Sequence, residues 1–183
     1  MNREQVLALV RARVQNENLV KHMLATEAIM RALARRLGED EAEWGLTGLW
    51  HDIDVELTER DMSQHSKLGA ALAKEAGASE AVAHAILCHN EAHGVPRESK
   101  LDKALFCADP LTGLITAAVL VRPDKKIATL EAKSVRKRFK EKSFAAGANR
   151  EQIATCSEIG LTLDEFIEIG VAAMQGIAAD LGL

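Results

Sequence analysis

Apolar residues in this chain recur at three- and four-residue steps, a period that only an α-helix can turn onto one face. Leu19, Met23, Ala25 or Thr26, Met30, Leu33 and Leu37 form the clearest run, and Gly38 follows where a helix C-cap belongs. The same reading predicts helices over residues 39–51, 64–76 and 79–90, with Gly77 closing the second and Ser79 capping the third. Residues 99–108 and 111–121 read as two helices broken at Pro110, with Pro123 ending the second. A short helix over 150–159 ends at Gly160. A long one over 163–181 opens on a Thr162/Glu165 capping box. No alternating apolar/polar run of strand length stands between turn signals. The expected fold class is all-α.

With 183 residues and no repeat, low-complexity stretch or Ser/Gly linker, the chain reads as one domain. Its core is expected over about 18–121, with a basic, helical C-terminal segment over about 122–183. No stretch approaches the roughly 18 uninterrupted apolar residues of a membrane span. Arg11 and Arg13 break the first apolar run, unlike a secretory signal. Cys88, Cys107 and Cys156 lie far apart with no CxxC pair, as buried thiols of a reducing compartment do. A cytoplasmic protein with no membrane partner is the expectation. The oligomeric state is open.

Charge is unevenly placed. The net charge is −4, which argues against a general binder of nucleic-acid polymers. Yet residues 121–142 hold nine Lys or Arg against three acids, a balance of +6, so the remainder carries −10.

Titratable residues interrupt the apolar helix faces. His22 sits in LVKHMLA, His51 and Asp52 follow GLTGLW, His89 ends AVAHAILCH and Asp109 ends ALFCA. Burying such groups is costly unless they are paired or metal-bound, so several of them in core positions point to a shared metal site. The adjacent pair His51–Asp52 is the most specific part, because a carboxylate has two oxygens and can bridge two ions. His84 lies five residues before His89, about 140° away on the helical wheel, and is expected to be structural.

The order His22, His51-Asp52, Asp109, in the contexts GLTGLWHDID, QHSKLGA, AILCHNEAHG and ALFCADPLTGL, resembles the HD-domain superfamily of metal-dependent phosphohydrolases. The chain is most similar to small bacterial members with two extra histidines. The resemblance implies an HD-domain helical bundle with a C-terminal helical extension. It implies that His22, His51, Asp52 and Asp109 hold a first metal. Asp52, His65 and His89 would hold a second, with Asp52 bridging. HDID in place of the common HDIG adds Asp54, an extra carboxylate near the site that is expected either to support a metal ligand or to face the substrate, and stands with Asp52 as a catalytic candidate. The GYP signature of cyclic-dinucleotide phosphodiesterases is missing, which argues against that substrate.

Four imidazoles and two carboxylates suit Fe, Mn or Zn better than Mg. Two such ions acidify water and neutralise phosphoryl oxygens, which gives hydrolysis of a phosphoester in a small phosphorylated molecule, with a nucleotide first. His93, Lys125, Lys126, Lys133 and Arg136 are the candidate substrate contacts, with Lys137 behind them, since an acidic protein needs local positive charge to attract phosphate. Two other readings share the scaffold: a nucleotide-sensing module without turnover, and a di-iron oxygenase.

Overall fold

The computed structural model describes residues 1–183, and every regular element in it is helical. In chain order these are α1 (Arg3–Arg13), α2 (Glu17–Leu37), α3 (Glu41–Trp50), α4 (Lys67–Glu75), α5 (Glu80–His89), α6 (Lys100–Leu120), α7 (Ala132–Phe139), α8 (Arg150–Ala154), α9 (Leu163–Gln175) and α10 (Ala178–Leu181). Side-chain caps set most boundaries. Asn16, Asp40, Ser79 and Thr162 each accept a backbone N–H in the first turn of the following helix, and Gly38 closes α2 in the left-handed conformation (φ 73°).

Two long helices organise the bundle. α2 packs on α3, α6 and α9, and α6 packs on α2, α5, α7, α8 and α9. One continuous apolar core runs from Val6 in α1 to Leu181 in α10, so the C-terminal segment shares the core of the rest. α3 crosses α2 at Gly48, where a Cβ would lie 2.9 Å from the backbone of Thr26 and Glu27. Only glycine permits that approach, and it brings the C-terminal end of α3 against the His22 turn of α2.

Several boundaries differ from the sequence expectation. The third predicted helix begins at Lys67 and not at residue 64, because Ser66 is left-handed (φ 70°) and its N–H leaves the helix to bond Asp54 Oδ2. The last predicted helix is interrupted after Gln175 at Gly176–Ile177. Thr162 caps α9 as expected, but the Glu165 carboxylate pairs with Arg36 at 2.7 Å. α1 and α7 had no counterpart in the sequence reading.

The largest difference is α6. It is one 21-residue helix, with Pro110 inside it. A proline there removes the N–H that would bond the Phe106 carbonyl. Gln152 Nε2, from α8, donates to that carbonyl at 2.8 Å, so no buried acceptor is left unpaired. α6 is also long and apolar enough to cross a membrane by length and composition, with mean hydropathy 1.4, but that apolarity serves the core, since 61% of it is buried.

Gln152→Ala is therefore expected to destabilise the fold by about 1–3 kcal/mol, the cost of an orphaned buried carbonyl. Denaturant unfolding would measure it. The loss should shrink in a Pro110→Ala background, where the helix supplies its own N–H.

Candidate metal centre

Six titratable side chains from α2, α5, α6 and the turn-rich segment 51–66 that follows α3 converge on one point. Asp52 lies at its centre. Its Oδ2 is 3.4 Å from His22 Nε2 and 3.5 Å from His51 Nε2, and its Oδ1 is 3.5 Å from both His65 Nε2 and His89 Nε2. Asp109 Oδ1 lies 3.1 Å from His22 Nε2 and 3.9 Å from His51 Nε2. The Nε2 atoms of His22 and His51 are 3.1 Å apart.

Each imidazole is oriented by its other nitrogen. His51 Nδ1–H donates to the Gly48 carbonyl at 2.8 Å, and His89 Nδ1–H donates to the Ile86 carbonyl at 2.5 Å. Both acceptors lie three residues earlier in the same helix, so the helix itself sets the ring. His65 Nδ1–H donates to Asp54 Oδ1 at 2.7 Å. Thr112 Oγ1 donates to the Asp109 carbonyl and so has a lone pair for His22 Nδ1–H, 2.8 Å away. With all four Nδ1 atoms committed as donors, the four Nε2 atoms face the carboxylates and are the ones left to bind a metal.

This donor set fits divalent cations. Ligand atoms about 2.0–2.2 Å from one ion stand roughly 3.0–3.5 Å apart, which is the spacing seen here. The two oxygens of Asp52 face different histidine pairs, as a bridging carboxylate would. His51, Asp52 and His89 also cluster closely enough to share an ion, so His51 borders both halves.

In the metal-free protein the electrostatics are those of a proton-filled cation site. Burial disfavours charge on His22, but the carboxylates of Asp109 and Asp52 outweigh it and raise the pKa to about 10. Burial dominates at His51 and lowers it to about 4. Burial also opposes ionisation of Asp52 and Asp109, yet the surrounding imidazoles hold both below the usual carboxylate range.

The HD-domain model matches residues 19–136, which include all six residues. The chain belongs to the HD-domain family. Among curated proteins, similar relatives are the Ribonuclease Y of Oleidesulfovibrio alaskensis (31% identical over 139 residues, 74% of this chain and 26% of that protein) and of Thermobifida fusca (30% over 139 residues, 75% and 26%). The chain thus spans about a quarter of the length of the curated relatives it matches. No solved structure matches it. Because these relatives are named as ribonucleases, the expectation that no nucleic-acid polymer is a partner finds no support in them.

The other HD-domain expectations sort by position. Asp54, expected as a catalytic carboxylate, is fully buried, with Oδ1 on His65 and Oδ2 accepting the N–H groups of Ser66 and Gly69, each at 2.7 Å. A Cβ at Gly69 would stand 3.2 Å from that carboxylate, so glycine leaves room for it. Asp54 orients His65 and has no free oxygen for a substrate. His93 donates Nε2–H to the His65 carbonyl at 2.6 Å and braces that turn. Lys133 pairs with Glu131 at 2.8 Å and Arg136 with Asp164 at 2.6 Å. Both line a small hollow between α7 and α9 that includes none of the six residues. Lys125 and Lys126 are exposed on the turn before α7, next to the Arg122–Asp124 pair. His84 faces away from the centre, toward Asp102.

Sequence reasoning missed four residues that shape the centre's surroundings. Thr112, three positions after Asp109, orients His22. Lys21 and His22 line one hollow of about 500 Å³ together with Asn18, Thr112, Thr116 and Leu120. A second hollow, of about 350 Å³, opens over His22 and Asp109 against Ala145, Gly147 and Ala148. Arg150 pins that loop, its Nη1 donating to the carbonyls of Ala145 and Ala148 at 2.6 Å each and its Nη2 to that of Phe144. Adjacency to His22 and Asp109 was the available signal for Lys21 and Thr112. Nothing in the sequence pointed to Gln152 or Arg150.

Two outcomes are expected. Asp54→Asn keeps an oxygen for the two backbone donors but turns an amide N–H₂ to His65 Nδ1, which moves the ring proton to Nε2, and should weaken metal binding by His65 and His89 about 10–100-fold, leaving the His22/Asp109 half tighter. Competitive chelator titration would read two separated affinities. Second, His22 is protonated in the metal-free protein at neutral pH, so loading should release about one proton from it and affinity should rise with pH between about 7 and 10. Calorimetry in buffers of different ionisation enthalpy would count that proton.

Proposed function

We propose that this HD-domain chain is a metal-dependent phosphohydrolase acting on a small phosphorylated substrate, a nucleotide first. The observation that carries the reading is the convergence of four oriented Nε2 atoms on a carboxylate whose two oxygens face different histidine pairs. His22, His51, Asp52 and Asp109 would hold one divalent ion, and Asp52, His65 and His89 a second, with Fe, Mn or Zn suited to the ligands. Bound there, such ions supply acidified water and neutralise charge on phosphoryl oxygens.

The chain's own residues then do the rest. The helix carbonyls of Gly48 and Ile86 and the Asp54 carboxylate fix the imidazoles, so the centre needs no reorganisation when substrate arrives. The hollow over His22 and Asp109 is where a phosphoryl group can approach. The adjoining 500 Å³ hollow, within the usual range for small-molecule sites, can take the remainder of the substrate. Lys21 on its rim offers a point charge for phosphate.

A second reading, cleavage of an RNA phosphodiester, is favoured by the names of the relatives. Within the basic segment Arg122, Lys133, Arg136 and Arg138 are each paired with an acid, while Lys125, Lys126, Lys137, Lys140 and Lys142 make no ion pair and would be free to meet RNA phosphates.

The test is elemental analysis of anaerobically purified protein, followed by turnover of nucleotides and of short RNA with Mn present. About two ions per chain with nucleotide release of phosphate supports the small-substrate reading, whereas cleavage of RNA alone replaces it with the second. Asp52→Ala is expected to lose both ions and at least 10³-fold in rate, on the order of removing a whole electrostatic catalyst. Retention of turnover in that variant would refute a metal-dependent reaction.

A further inference from the structure

α5 presents histidines to opposite sides. His89 turns toward the metal centre. His84, about 140° away around the same helix, turns toward the start of α6. There, one ring nitrogen of His84, the Cys88 Sγ and one carboxylate oxygen of Asp102 lie within 4.8 Å of one another. His84 Nδ1 is hydrogen-bonded to Asp102 Oδ2 at 3.1 Å, which places the ring beside the carboxylate.

Asp102 is the second observation. It is 1% exposed, and its Oδ2 already serves the α6 N-terminus by accepting the N–H groups of Glu98 and Ser99 at 3.0 and 2.9 Å. Its Oδ1 is buried and has no hydrogen-bond partner. A carboxylate oxygen shut away from water without a partner is costly, so a buried lone pair of this kind calls for a cation. Cys88 does not supply the missing hydrogen bond in full, because its thiol contacts the Ala85 carbonyl at 3.6 Å.

We propose that His84, Cys88 and Asp102 form a separate zinc site that clamps α5 to the N-terminal turn of α6. Sulfur, nitrogen and oxygen together suit a borderline-soft ion with four places, and hard ions such as Mg accept no thiolate. The ion takes Cys88 as thiolate, whose proton leaves to solvent. One thiolate and one carboxylate then balance its charge of two. The His84 side chain is 37% exposed, so the fourth place opens to water. Arg97 is a nearby cation. Its guanidinium lies on the Phe106 ring at 3.6 Å and its Nη2 stands 3.5 Å from Glu91, which answers its charge. The clamp joins the helix that carries His89 to the helix that carries Asp109. It is independent of the proposed hydrolysis.

The metal centre contains no cysteine, and that gives the test its selectivity. Cobalt is added to the reduced, metal-stripped full chain in an Asp52→Ala background. A near-ultraviolet thiolate-to-cobalt charge-transfer band that saturates at one equivalent is expected, with its loss on adding excess zinc. Cys88→Ser should abolish the band, His84→Ala should weaken cobalt binding at least 10-fold, and Cys107→Ser should leave both unchanged. Zinc should raise the melting temperature of the Asp52→Ala chain and fail to do so once His84 is also alanine. The absence of a thiolate band, or its survival in Cys88→Ser chain shown to be folded by circular dichroism, overturns the site. If Cys88→Ser does not fold, an unchanged cobalt affinity in His84→Ala overturns it equally.

Discussion

The carboxylate of Asp52 stands between four imidazoles, and the rest of the structure is arranged to make that possible. A buried carboxylate surrounded by buried titratable rings is stable only if each group finds protons, partners or cations. Two rings face each oxygen. Each ring is fixed from behind, two by their own helix, one by Asp54 and one by Thr112. Gly48 lets α3 sit against the backbone of α2, and without that contact His22 and His51 would not meet. Gly69 leaves space for Asp54, which in turn draws Ser66 out of α4. The packing therefore serves an electrostatic requirement as much as an apolar one.

α6 shows how a local rule yields to that requirement. A proline inside a helix ordinarily ends it, since the lost hydrogen bond and the ring clash cost about 3 kcal/mol. Here the helix continues, because Gln152 takes over the Phe106 carbonyl and the apolar face of α6 is buried along its whole length. Continuity matters to the centre. It holds Asp109 and Thr112 on one rigid element, with the carbonyl of the first accepting from the hydroxyl of the second. The C-terminal segment thus completes the domain that carries the metal centre. α8 supports α6 at its proline, and Arg150 shapes the loop that walls one hollow beside His22.

The basic segment carries a different lesson. Its excess of six positive charges is only partly answered in space: Arg122, Lys133 and Arg138 pair with acids of the same segment and Arg136 reaches Asp164, while Lys125, Lys126, Lys137, Lys140 and Lys142 make no ion pair. A linear count of charge cannot anticipate such pairing, because Asp164 is 28 residues from Arg136 along the chain and 2.6 Å from it in the fold. The lysine that does border the centre, Lys21, lies in α2 next to His22 and outside the basic segment.

The sequence by itself determined the fold class, several helix caps and five of the six converging residues, with His65 added by the family resemblance. Those signals are local: helical period, capping chemistry, and titratable groups set where an apolar residue is expected. Family resemblance supplied the pairing of those six that no spacing could. The tertiary structure decided what depended on distant contacts. It turned Asp54 onto His65, Ser66 and Gly69. It kept α6 whole across Pro110, and it grouped His84 with Cys88 and Asp102 on the far side of α5. In each case the deciding partner came from another element, brought there by packing, and a hydrogen bond or ligand shell a few ångströms across leaves no trace in residue spacing.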